Sequence, residues 1–221
     1  FLSSPGDCVE ERSAVHAVLA RVNADPLVSV FTRLEVVAWD WGAGVPLEAL
    51  SSPQMSVNKH LPNPDDCDLF LGIFNCRFGT PLPGREFRKL DGTLYQSGSE
   101  YEFHRAWESR RRGSSRPEIL MYRRQQELHT CQDFEQWQKL EAFFQQPPFM
   151  ENGQLTGTVD RYQSPDEFAR KLEAHLRRLL SRRQPGALPM FRDWLNHQAS
   201  LLTANAGPRY TSDAHVETDI G

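Results

Sequence analysis

Residues 68–74, DLFLGIF, decide the fold. After Asp68 the run is apolar almost without a break, so both of its faces must be covered. That pattern belongs to a central strand of a parallel sheet, whereas a half-buried strand would alternate apolar with polar residues. Asn75, Arg77, Phe78, Gly79 and Thr80 follow directly, just past the carboxyl end of the strand. Open α/β sheets bind their ligands at that edge, which makes Asn75 and Arg77 candidate binding residues. The guanidinium of Arg77 suits bidentate pairing with a phosphate; an ordinary surface ion pair is the alternative.

Upstream, the chain opens at Phe1-Leu2 without a methionine, and the spacing reads as the end of a first strand whose earlier residues are missing. Ser3-Ser4-Pro5-Gly6 forms a turn, and Asp7 starts a helix with Glu10 as its capping-box partner. Val15, Val18, Leu19 and Val22 recur at helical spacing. A strand passing through small residues into a helix leaves backbone N–H groups free to hold a phosphate, so Ser3 and Ser4 are candidate binding residues. Residues 34–39 read as a second strand, with Trp39 and Trp41 near its end. Trp39 is either a platform for a base or nicotinamide ring or part of the core. Residues 46–53 read as a loop and 54–61 as a short helix.

Downstream, residues 81–96 form a polar loop with Asp91-Gly92 as a turn signal, long enough to act as a lid or specificity loop. Residues 96–106, QSGSEYEFHRA, follow as a glycine-containing turn that opens a helix. Glu102 in its first turn is the candidate catalytic carboxylate, with Gly98 and Ser99 shaping the turn. The competing reading makes Ser99 and Glu102 a capping box and nothing more. Residues 118–122 read as a strand, 132–145 as an amphipathic helix stopped by Pro147-Pro148, and 158–162 as a short final strand. Ser164-Pro165-Asp166-Glu167 is a helix start with an N-cap serine, proline at the first helical position and a capping glutamate. After Gln184-Pro185-Gly186 the periodicity breaks, leaving one short helix at 190–202. The expected organisation is an α/β domain over 1–183 and a linker over 184–221 toward a downstream domain.

The bulk properties narrow the class. The chain has 221 residues, 39% of them hydrophobic, with a net charge of −4 and a mean hydropathy of −0.57. This charge gives no global pull toward nucleic acid or an anionic membrane, and no apolar run approaches the roughly 20 residues that span a bilayer. Cys8, Cys67, Cys76 and Cys131 show no CxxC pairing. Neither a disulfide framework nor a zinc site is expected, Cys67 and Cys76 read as buried free thiols, and the cytoplasm is the natural compartment. No metal ligand set is visible.

Alternating strands and helices predict a parallel sheet with helices on both faces, and right-handed crossovers gather the loops after the strands on one edge. That edge collects Ser3, Ser4, Trp39, Asn75, Arg77 and the Glu102 turn. Four stretches, FLSSPGDCVEER, DLFLGIFNCRFGTP, SGSEYEFHRA and YQSPDEF, together resemble the TIR-like domain of unknown function that begins many bacterial STAND (NACHT-type) NTPases and some animal NACHT and WD-repeat proteins. The resemblance covers residues 1–183 and implies a flavodoxin/TIR-like open parallel sheet. The turn also resembles that of nucleoside 2-deoxyribosyltransferases, whose G-[ST]-x-x-E pattern is met by Gly98, Ser99 and Glu102; the acidic residue that precedes the glycine there is replaced here by Gln96 and Ser97. The stretch GPRYT resembles the entry to the NTPase part of antiviral STAND proteins.

These resemblances imply that Glu102 serves glycosidic chemistry on NAD or a related nucleotide, without a cofactor or metal. Ser3, Ser4 and Arg77 would hold the pyrophosphate and Trp39 would stack on a ring. They also imply self-association through the domain and a downstream STAND module in an immune-signalling protein. The alternative they imply is a non-catalytic oligomerisation and protein-interaction module.

Overall fold

The computed structural model describes residues 1–39, 46, 53–83, 86–89, 91–126, 131, 133–183, 196, 197 and 200. Trp41, the loop at 46–53 and the tail at 184–221 with its short helix fall wholly or largely outside the described residues. The elements run β1 (Leu2–Ser3), α1 (Val9–Ala24), α2 (Pro26–Ser29), α3 (Pro53–His60), β2 (Leu69–Phe74), α4 (Gly98–Arg111), β3 (Glu118–Arg124), α5 (Phe134–Phe144), β4 (Met150–Glu151), β5 (Gln154–Leu155), β6 (Asp160–Tyr162) and α6 (Pro165–Arg183).

Four strands form one sheet in the order β1-β2-β3-β6, every pair parallel, while β4 and β5 make a separate antiparallel hairpin. The strand DLFLGIF lies inside the sheet, as its composition requires. Its side chains divide between two cores. Leu71 and Ile73 join Val15, Val18 and Val22 of α1 and Phe168, Leu172 and Leu176 of α6. Phe70 and Phe74 join Phe103 of α4 and Leu140, Phe143 and Phe144 of α5. The chain is an α/β open parallel sheet with helices on both faces. Each fully buried large apolar side chain in these layers contributes roughly 1.5–3 kcal/mol relative to exposure.

Local chemistry sets the ends of the helices. At α6, Ser164 Oγ accepts from the Glu167 N–H at 3.2 Å and Glu167 Oε2 accepts from the Gln163 N–H at 2.8 Å, the reciprocal cap expected from the sequence. At α1 the expected cap is not made: Cys8 occupies the N-cap position and its side chain makes no capping hydrogen bond. Asp7 turns back instead and accepts from the N–H groups of Cys76 and Arg77 at 2.9 and 3.0 Å.

Two further expectations are corrected. Residues 34–39 do not form a strand; the Leu2 N–H donates to the Val37 carbonyl at 2.9 Å, but no ladder develops. The cause is the partner: β1 holds 2 residues before Ser4-Pro5 turns the chain away, and proline has no N–H to extend the pairing. Cys76 is not a free thiol but is joined to Cys131 by a disulfide, with Cα atoms 5.4 Å apart. The loop after β2 and the segment entering α5 meet at the same edge of the sheet, although 55 positions separate the two cysteines. The cysteine argument for a reducing compartment does not extend to this pair. Cys8, buried, and Cys67, half-buried, are free. No helix among the described residues is long and apolar enough to cross a membrane.

Candidate functional site

The turn into α4 contains two overlapping S-x-x-E patterns, Ser97…Glu100 and Ser99…Glu102. The structure uses the first. Ser97 is the N-cap, and its Oγ accepts from the Glu100 N–H at 3.0 Å. Glu100 Oε2 accepts from the Gln96 N–H at 2.5 Å, and its Oε1 pairs with Lys89 Nζ at 2.5 Å. Ser97 and Glu100 thus make the side-chain cap, as in a capping box, and Ser99 and Glu102 are left out of it. The capping-box reading of Glu102 is thereby corrected.

Glu102 instead turns toward β1 and α3. Ser3 Oγ donates to its Oε2 at 2.6 Å, and Gln54 Nε2 donates to its Oε1 at 3.2 Å. The first distance falls in the range of a hydroxyl bonded to a charged oxygen. Glu102 is only 7% exposed, and burial, opposed by the two hydrogen bonds, raises its pKa to about 7. A carboxyl group in that state exchanges protons near neutrality, a property concentrated at functional sites.

The carboxyl borders a cleft of about 330 Å³ at the carboxyl edge of the sheet, within the size range of small-molecule sites. The cleft is lined by Ser4-Pro5-Gly6 and Trp39, by Arg77 and Thr80-Pro81-Leu82-Pro83 of the loop after β2, and by Gln54, Gly98 and Ser99 together with Glu102. That loop is held firmly. Besides the Asp7 contacts, Gln136 Oε1 of α5 accepts from the N–H groups of Phe78 and Gly79 at 3.0 and 2.9 Å. Gly79 has a φ of +114°, a conformation that side chains rarely permit. A second cavity of about 300 Å³, mostly apolar, lies among Phe1, Leu34, Val36, Leu69 and Leu176 and does not include Glu102.

Of the residues expected at the site, Glu102, Ser4, Trp39, Arg77, Gly98 and Ser99 line the cleft. Trp39 is 42% exposed, which suits a stacking platform better than a core residue. Ser3 is corrected: its hydroxyl is buried and committed to Glu102, so it positions the carboxylate and does not face a phosphate. Ser4 Oγ accepts from Arg12 at 3.2 Å. Asn75 is not among the cleft residues, and its Oδ1 is buried without a hydrogen-bond partner among the described residues. The start of α1 is a poor phosphate cradle, because Glu10 and Glu11 occupy its first turn and oppose an anion.

The sequence reading missed Gln54 and the wall Thr80–Pro83. No local pattern marks Gln54; a glutamine in a short helix carries no motif. The proline-flanked TPLP run was a loop signal whose position over the cleft depends on the tertiary fold. No family model matches the chain, and no curated protein or solved structure matches it.

Proposed function

We propose that this domain cleaves the N-glycosidic bond of NAD or a related nucleotide and serves as the TIR-like effector of a STAND-type signalling protein that acts when clustered. One observation carries the reading: the Glu102 carboxyl is held at the cleft by side chains from β1 and α3, not by its own helix backbone.

The chemistry asks little more. As the bond between ribose C1′ and the nicotinamide nitrogen breaks, the nitrogen keeps the electron pair and leaves as a neutral ring, while C1′ gains positive charge. A carboxylate beside C1′ stabilises that charge or captures it as an ester, and water then completes hydrolysis. Glu102 supplies the carboxylate, Arg77 and Ser4, which line the same cleft, are the phosphate contacts of this reading, and Trp39 offers a stacking face. Nicotinamide leaves without needing an acid, so a single glutamate suffices.

The experiment is NAD loss, measured with concentrated or artificially clustered protein and a panel of other nucleotides, with and without Glu102→Gln. Loss of turnover in a variant that still associates supports the reading. The absence of any nucleotide turnover in the clustered wild type favours the assembly module. That second reading has one observation in its favour: Phe134 and Leu155 are 52% and 83% exposed, apolar surface available for packing against another copy.

A further inference from the structure

If Glu102 is the reacting carboxylate, as proposed above, the oxygen that carries its proton has to be fixed. Gln54 is 6% exposed, and its amide sits in a directed chain of hydrogen bonds. Arg105, paired with Asp65 at 2.9 Å, donates from NH1 to Tyr101 OH at 3.4 Å. Asn58 Nδ2 donates to the same hydroxyl at 3.2 Å. Asn58 Oδ1 therefore faces Gln54 and accepts from its Nε2 at 3.2 Å. The remaining hydrogen of that nitrogen goes to Glu102 Oε1 at 3.2 Å. With Tyr101 OH accepting from both Arg105 and Asn58, Asn58 turns its oxygen to Gln54, and Gln54 presents N–H, not oxygen, to Glu102.

The turn into α4 has room for this amide. A Cβ built on Gly98 would stand 2.6 Å from Gln54 Oε1, so any side chain at position 98 would displace it. We propose that Gln54 is the positioning residue of Glu102: it keeps Oε1 a hydrogen-bond acceptor in both protonation states, and so confines the exchangeable proton to Oε2, the oxygen shared with Ser3. The carboxyl group can then be neutral or charged without rotating, and one fixed face stays toward the cleft. Among the described residues, the charged groups near it include Arg77, which lines the same cleft, and Arg105 on α4, already paired with Asp65.

The test is a ¹³C NMR titration of the glutamate carboxyl carbons, with Glu102→Gln assigning the resonance, in the wild-type protein and in Gln54→Leu, Gln54→Met and Asn58→Leu. Removing the Gln54 donor should raise the Glu102 midpoint by about one pH unit or more, a roughly tenfold change in its protonation equilibrium. Asn58→Leu, which keeps Gln54 but frees it to turn, should give a smaller rise. The near-isosteric Gln54→Met guards against a leucine variant that folds poorly. A Glu102 midpoint unchanged in Gln54→Met overturns the inference, because a merely structural glutamine would lower stability without moving that titration. The measurement needs no turnover. A displaced midpoint in a protein that never cleaves NAD sinks the glycosidase reading alone, whereas turnover with an undisplaced midpoint sinks this inference alone.

Discussion

Ser3 Oγ stands 2.6 Å from Glu102 Oε2, joining two residues 99 positions apart. The contact takes a serine from the first strand out of the solvent-facing turn and makes it the principal donor to the buried carboxyl. Ser3→Ala removes a hydrogen bond to a charged group, worth roughly 1.5–3 kcal/mol. Glu102 should then titrate above 7, and the nucleotide turnover proposed for it should shift its rising limb to higher pH. A pH–rate profile identical to wild type would show that the bond does not govern ionisation.

Glu102 itself should leave a pH signature in stability. Burial raises its folded pKa to about 7, well above the ordinary glutamate value of 4.5. The stability associated with the protonated form is fully present below the unfolded pKa near 4.5 and is lost as pH rises through 7. The wild type should therefore weaken across that window by roughly 3 kcal/mol, whereas Glu102→Gln, which cannot ionise, should not. Urea unfolding at pH 5 and pH 8 checks this: the variant should gain on the wild type only at the higher pH. Turnover in the variant should fall on the order of 100-fold or more.

Gly98 makes a different prediction. Alanine is the better helix former by up to about 1 kcal/mol, and the atom its Cβ would meet is the end of a flexible side chain, Gln54 Oε1. Gly98→Ala should therefore fold with a melting temperature near that of the wild type while driving Gln54 off Glu102. Turnover should drop and the Glu102 titration should rise, as in the Gln54 variants. A fully active Gly98→Ala would mean that Gln54 can be spared.

The two serines of the turn should separate cleanly. Ser97 caps α4 and Ser99 does not. Ser97→Ala should cost about 1 kcal/mol, a fall in melting temperature of roughly 2–4 °C for a domain of this size. Ser99→Ala should cost much less. Equal losses would mean that the helix frays between the two registers.

That ambiguity shows where the sequence stopped being legible. DLFLGIF announced a covered strand, because a continuous apolar run has few other uses, and the start at Ser164 was readable because a single register fits it. The segment SGSEYE offered two capping registers, and choosing between them required knowing that Ser97 lies extended, with φ −160° and ψ 163°. Residues 34–39 had the apolar, β-branched composition of a strand, but pairing depends on the length of the neighbour, which no local pattern encodes. Gln54 was invisible for the same reason: its meaning comes from a carboxylate 48 positions away.

The disulfide between Cys76 and Cys131 allows the support of the cleft to be separated from the stability of the domain. It closes a loop of 55 positions, for which chain entropy alone predicts up to about 4 kcal/mol. The same loop after β2 is also gripped at four consecutive N–H groups, those of Cys76 and Arg77 by Asp7 and those of Phe78 and Gly79 by Gln136. These contacts do not depend on the crosslink. Cys131→Ser should therefore unfold at lower urea concentration yet keep its cleft and its turnover, and wild type with reductant should behave like the variant. Asp7→Ala should do the reverse, with little dependence on reductant but weaker nucleotide binding, as Arg77 loses its backbone anchor. If Cys131→Ser abolished turnover while folded, the crosslink, and not the Asp7 and Gln136 contacts, would be what holds Arg77 at the cleft.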